Sequence, residues 1–205
     1  MADAQSPRPK SWRRWLPLAG FGVAVIVLAL AFALPRILSA DRDGPGLGGP
    51  FALVDQHGAA VTEASFKGRW MLVYFGYTYC PDVCPTTLAT IGRALDMLPA
   101  DARKQVAPIF ITVDPERDTA KVMGDYVANF APDLVGLTGP LPAIEKVEHE
   151  YHVYAKKHPE ADGSYSMDHS SIVYLMDPGG RYRAIFSGET TAAQMADGLK
   201  KQLQG

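Results

Sequence analysis

The sequence predicts an α/β domain, a central mixed sheet flanked by helices, with one transmembrane helix ahead of it. Three observations predict it. Residues 16–34, LPLAGFGVAVIVLALAFAL, are nineteen residues without a charge. Residues 69–76 and 106–113, RWMLVYFG and VAPIFITV, are continuous apolar runs of strand length around a helical pattern, as in a βαβ unit with a parallel core. Residues 171–187 hold two further strand patterns around Asp-Pro-Gly-Gly, a strong turn signal that adds antiparallel strands.

Nineteen apolar residues at 1.5 Å per residue match a hydrocarbon core of about 30 Å. Residues 1–15 carry Arg8, Lys10, Arg13 and Arg14 against Asp3 alone. This excess keeps 1–15 cytoplasmic and places the chain beyond Leu34 across the membrane. The alternative is a cleaved signal peptide, with Ala31-Phe32-Ala33 as the small-x-small site; its apolar region is ordinarily shorter, about 7–15 residues. Both readings export the domain. Of 20 basic and 22 acidic residues, 4 and 1 lie in 1–15, which leaves 16 and 21, a net of −5. A mildly acidic domain without a basic cluster argues against nucleic acid as partner.

Residues 35–50 read as a linker, ending in the Gly- and Pro-rich DRDGPGLGGP,. The domain then spans 51–205. Residues 51–54 and 60–62 flank Gln-His-Gly as a hairpin,. Residues 85–98 place Leu88, Ile91, Leu95 and Leu98 at helical spacing, and 118–130 do the same with Val122, Met123, Tyr126, Val127 and Phe130,. Residues 134–137 predict a short strand. Residues 141–152 predict a helix running into a strand at VYAKK, and 159–168 a polar loop. Residues 190–203 predict a closing helix. This order resembles the thioredoxin plan, here a thioredoxin-like fold with an N-terminal β-hairpin and an insertion.

The two cysteines, Cys80 and Cys84, then fall where the first core strand meets its helix. Free N–H groups at a helix start favour thiolate, the form that reacts and binds metal. With three residues between them, the sulfurs can share one face of a turn. The Cα atoms are then roughly 6 Å apart, within the disulfide range of about 4.4–6.8 Å and suited to gripping one ion. An inert staple is the plain alternative, but so short a loop gains little closure entropy. Pro81 and Pro85 each remove a backbone N–H, which a first helical turn tolerates.

A third ligand is sought among five histidines. His57 sits in a turn, His149 and His152 on a charged helix end, and His158 in Lys-Lys-His-Pro-Glu. All four read as solvated. His169 stands in MDHSSIVYLM just before a strand, where thioredoxins place a cis-proline facing their cysteines. Two thiolates and an imidazole suit copper, whose Cu(I) state accepts three soft ligands and whose Cu(II) state can use the same set. Structural zinc wants a fourth ligand, and none is evident here, although water or Asp168 could serve.

The stretches GYTYCPDVCP, VDPERDT at 113–119 and DHSSIVYLMDPGG at 168–180 resemble the Sco/SenC family of copper-binding proteins that assist cytochrome c oxidase assembly. The match covers about residues 45–203. The resemblance implies that Cys80, Cys84 and His169 bind copper. It also implies delivery of copper to the binuclear copper A centre of oxidase subunit II, or reduction of that centre's thiols. Other copper chaperones or thiol reductants are the implied further partners. The implied location is the inner membrane with the domain in the periplasm, or the mitochondrial intermembrane space. Asp114 and Asp168 match acidic positions of the motifs and are candidates to orient the imidazole; a cap for Asp114 and a solvated carboxylate for Asp168 are the plain alternatives.

Three rival functions stand beside copper handling. A thiol-disulfide oxidoreductase would use Cys80 and Cys84 as its redox pair but has no need of His169. A peroxidase is suggested by Val83-Cys84-Pro85-Thr86-Thr87, yet the peroxide-binding threonine three residues earlier is Pro81 for Cys84 and Tyr77 for Cys80. A tethered sensor of copper or redox state is the third.

Overall fold

The computed structural model describes residues 46–204. The expected cytoplasmic segment 1–15, transmembrane anchor 16–34 and most of the 35–50 linker lie outside the described residues. Among those described, no helix is long and apolar enough to cross a membrane.

Strands β1 (Ala52–Asp55) and β2 (Ala60–Thr62) form the N-terminal hairpin. Its turn is closed by Asp55, whose carboxylate accepts from His57 and Ala59 N–H at 2.9 Å each, the local bonding that makes Asp a turn residue. β3 (Trp70–Gly76) and β4 (Val106–Thr112) pair in parallel, and β4 pairs in parallel with β5 (Val135–Thr138). β8 (Ile172–Met176) runs antiparallel to β3, and β9 (Tyr182–Ser187) antiparallel to β8. The seven-stranded mixed sheet has the order β2-β1-β5-β4-β3-β8-β9.

Both faces are covered, which is why β3 and β4 carry no polar alternation. Tyr74 of β3 points to one face. There it stacks on Phe110 at 6.0 Å and meets Cys84 of α1 (Val83–Asp96), while Phe110 meets Tyr126 of α3 (Ala120–Val127). Phe75, next in the strand, points to the other face, against Tyr151 just past α4 (Leu141–Glu150). Leu72, Val73, Tyr74 and Phe75 have no exposed surface; each contributes about 1.5–3 kcal/mol of burial. The closing helix α5 (Ala192–Leu203) packs on α1. Thr191 and Gln194 form a capping box at its start, worth about 1 kcal/mol.

The structure differs from the sequence reading in six places. The supposed polar loop at 159–168 contains a strand: β6 (Ala155–Pro159) and β7 (Tyr165–His169) form a separate two-stranded sheet, with Ala155 opposite His169. Its side chains are exposed or half-buried, so no apolar period marks it. Helix α1 starts at Val83, not Pro85, and α3 covers only Ala120–Val127 because Thr119 caps it. A short helix α2 (Ala100–Lys104) and a 3-10 turn (Glu63–Phe66) were not expected. Finally, residues 46–50 are not a free linker. Leu47 packs on the core, and Gly48 N–H donates to Glu150 O at 2.7 Å. Gly48 has φ 89°, and a Cβ there would lie 2.3 Å from Met176 Cε, so only glycine allows this approach.

Glu148 of α4 is half-buried. Burial, then the charge of Glu145, push its carboxyl up to about 7. A raised folded-state pKa means the native state holds the proton more tightly than the unfolded chain. This group's contribution is therefore full below about pH 4.5 and is lost as pH rises through 7. Glu148→Gln mimics the protonated form. It is expected to raise Tm at pH 8 by about 2–4 °C, the equivalent of about 1 kcal/mol, and to change it little at pH 4.5, as measured by thermal melts at both pH values.

Candidate metal centre

The antiparallel pairing of β3 with β8 sets Tyr74 opposite Val173. The exit from β3 and the entry to β8 therefore lie at the same end of the sheet. The first carries Cys80 and Cys84, the second His169. Their ligand atoms lie within 4.8 Å of one another.

The cysteine arm is built at a helix start. Cys80 lies in the loop before α1 and is half-buried; Cys84 is in the first turn and has no exposed surface. Asp82, the N-cap residue, makes no side-chain cap. The Cys80 sulfur accepts from Cys84 N–H instead, at 3.4 Å, and satisfies one of the free donors of the turn. Pro85 has no N–H to satisfy. Beneath, Tyr74 Oη donates to Cys84 Sγ at 3.6 Å, near the limit for a sulfur acceptor. The loop is tied down by Asp118, which has no exposed surface and accepts from Thr78 N–H (3.0 Å), Thr78 Oγ1 (2.5 Å) and Thr112 Oγ1 (2.6 Å). Burial still pushes its carboxyl up against these three bonds.

The imidazole arm is the end of β7. His169 Nε2 lies 3.3 Å from Cys84 Sγ, and Nδ1 lies 3.2 Å from Ser170 O. A proton on Nδ1, donated to that carbonyl, leaves the Nε2 lone pair facing the sulfurs. The rings of Tyr77 and Tyr74 meet the imidazole edge-on at 5.8 and 6.3 Å.

The two thiols are unequal. Hydrogen bonding from the Cys84 thiol lowers Cys80 far below the ordinary thiol range; burial opposes this, and His169 and the amides of Cys84 and Asp82 assist. The Cys80 thiolate and burial push Cys84 up. The pair thus favours thiolate at the half-buried sulfur and thiol at the buried one. Two sulfurs and an imidazole converging on one point can hold a soft ion or close to a disulfide.

Neither of the two carboxylates expected to orient the imidazole bonds to it. Asp114 is buried and accepts from Arg117 Nε and from Tyr165 Oη (2.8 Å). Asp168 is exposed and turned to His158, its Oδ2 lying 2.8 Å from Nε2 without hydrogen-bond geometry. The Ser170 carbonyl takes the orienting position. Tyr74, Tyr77, Asp118 and Arg117 are site residues that the sequence reading missed. Asp118 and Arg117 stand inside VDPERDT, but nothing in the spacing says that Asp118 reaches Thr78, forty residues away.

A thioredoxin-like scaffold with a dithiol and an opposed imidazole defines a class of metal- or thiol-handling domains. Comparison with known proteins gives the family. The family model SCO1/SenC matches residues 39–204, and the chain belongs to that family. Protein SCO1 homolog 1, mitochondrial, of Arabidopsis thaliana is 38% identical over 170 residues, which cover 80% of this chain but 51% of that protein. The chain thus spans about half the length of that relative. Bradyrhizobium japonicum ScoI, solved with copper bound, is 48% identical with a TM-score of 0.71, covering 76% of this chain and 98% of that one. BsSco, described as having a disulfide switch and as a member of the Sco family of cytochrome c oxidase assembly proteins, is 28% identical with a TM-score of 0.63, covering 79% and 96%.

Gly76 ends β3 directly against this site. A Cβ there would lie 2.6 Å from Cys84 Sγ and 2.9 Å from Phe110 Cε2, both fully buried. Neither neighbour has room to retreat. Gly76→Ala is expected to cost about 1–3 kcal/mol, read as a lower urea midpoint with unchanged slope.

Proposed function

We propose that this chain is a membrane-anchored copper chaperone. It binds copper through Cys80, Cys84 and His169 and supports assembly of the copper A centre of cytochrome c oxidase. Its acceptor is oxidase subunit II, supplied by copper delivery, by thiol reduction, or by both. The observation that carries this reading is the convergence of the three ligand atoms within 4.8 Å. The relative solved with copper supports the choice of ion, and the relative assigned to oxidase assembly supports the process. The anchor is the 16–34 segment. The domain faces the periplasm or the mitochondrial intermembrane space, the latter in keeping with relatives named as mitochondrial.

The inequality of the thiols sets the order of events. Cys80, half-exposed and the more acidic of the two, is the ligand an incoming acceptor thiolate displaces first. Cys84, buried under Tyr74, leaves last. Exchange with a partner's disulfide closes the pair: Cys80 attacks one partner sulfur, Cys84 then displaces it from the mixed disulfide, and the partner leaves as a dithiol with the two electrons and the proton. The Cys80–Cys84 disulfide has no thiolate left to bind metal, so oxidation and metal release are linked.

The same inequality supports a second reading, a thiol-disulfide oxidoreductase. Cys80 would attack and Cys84 resolve, with no role for the metal. His169 separates the two readings, because exchange chemistry does not need it.

Anaerobic titration of the reduced full-length chain in detergent, against a Cu(I) chelator, tests the proposal. The expected result is one copper per chain, with affinity falling about 10- to 100-fold in His169→Ala. Binding displaces the proton of Cys84, so affinity should rise about tenfold per pH unit between about pH 6 and 8. Equal affinity in parent and variant, with thiol exchange intact, would favour the oxidoreductase.

A further inference from the structure

We propose that Arg117 is a positioning residue that pins the His169-bearing hairpin to the cysteine loop, with Asp114 as its anchor. The inference rests on the copper-site reading above and deepens it.

The guanidinium of Arg117 stands between the two arms. Its Cζ lies 3.6 Å from the ring centroid of Tyr165, in β7, and 4.7 and 5.7 Å from those of Tyr79 and Tyr77, in the loop before Cys80. Nε donates to Asp114, and Nη1 donates to Tyr165 O at 2.9 Å. Asp114 is buried, its side chain 2% exposed, and also accepts from Tyr165 Oη. A buried carboxylate thus holds one strand by a side chain directly and by its backbone through Arg117. Nη2 is buried and has no hydrogen-bond partner among the described residues. The ring faces around it are what stabilise that part of the charge, as cations over aromatic faces are stabilised.

Tyr165 and His169 are four residues apart on one strand and so share a face. A grip on Tyr165 therefore fixes where His169 falls. The hairpin needs such a grip. It pairs with no strand of the main sheet, and two-stranded sheets are marginal alone. Lys157 of β6 adds to it, bonding Glu116 at 2.6 Å and lying 3.9 Å from the Tyr165 ring. On the other side of the same segment, Asp118 holds Thr78. Residues 113–119 therefore set the distance between the arms. Arginine suits 117 because its planar fork bonds Asp114 and Tyr165 O in fixed directions while lying over the Tyr165 ring; a lysine is a point charge on a flexible stem.

Two measurements on the full-length chain in detergent test this. The first is hydrogen exchange of the reduced, copper-free protein. Arg117→Ala is expected to speed exchange in peptides covering β6 and β7, with Arg117→Lys intermediate. The second is Cu(I) affinity in a double-mutant cycle. Arg117→Ala should weaken binding about tenfold in the parent and much less once His169 is already alanine, since there is then no imidazole to position. Equal weakening in both backgrounds, or unchanged hairpin exchange, would overturn the proposal. If His169→Ala alone leaves affinity unchanged, the ligand reading has failed, and the exchange measurement decides the pin by itself. If Arg117→Ala does not fold, Arg117→Lys carries the same test, since it keeps the charge beside Asp114 but loses the planar group that bonds Tyr165 O and covers its ring, and it should shift both readouts in the same direction.

Discussion

The antiparallel pairing of β3 with β8 is the constraint on which the rest of the site depends. A parallel partner would leave the exit of one strand and the entry of the other at opposite ends of the sheet. Antiparallel pairing brings them together, so residues 85 positions apart meet at 3.3 Å,. The register is fixed by burial. A slip of one residue would turn Tyr74 away from Cys84 and reverse every side chain of a strand that has no exposed face. The cost would exceed anything the site itself could recover.

On that frame, two arms are held by one segment. Neither the cysteine loop nor the β6–β7 hairpin carries enough apolar surface to fix itself. The segment 113–119 supplies buried carboxylates, Asp118 for the loop and Asp114 with Arg117 for the hairpin. These bonds sit where water is largely excluded, so each is costly to leave unmade. The chemistry then follows from exposure. A half-exposed thiolate faces outward, a fully buried thiol lies behind it, and an imidazole closes the group. Two of the three groups, Cys80 and His169, are half-buried and only Cys84 is fully enclosed.

Much of this was legible in the chain. The buried strands announce themselves as RWMLVYFG and VAPIFITV because full burial erases polar alternation, and Cys80, Cys84 and His169 stand beside strand ends that the element order brings together. The β6–β7 hairpin was not legible, because YSMDH and AKKHP are only exposed or half-buried and are held by contacts from elsewhere. The docking of Gly48 was hidden for a similar reason: a glycine-rich stretch reads as linker unless one knows that Met176 and Glu150 lie beneath it. The placement of Asp114 was misread because its motif lies near the site, while its partners, Arg117 and Tyr165, are set by topology that no local spacing encodes.

The central claim is the ligand set, and X-ray absorption at the copper edge on the Cu(I)-loaded chain tests it most directly. The account predicts a shell of two sulfurs and one imidazole nitrogen around the ion, with the imidazole scattering lost in His169→Ala. A shell of sulfur alone in the parent, or an imidazole signal that survives removal of His169, would contradict it.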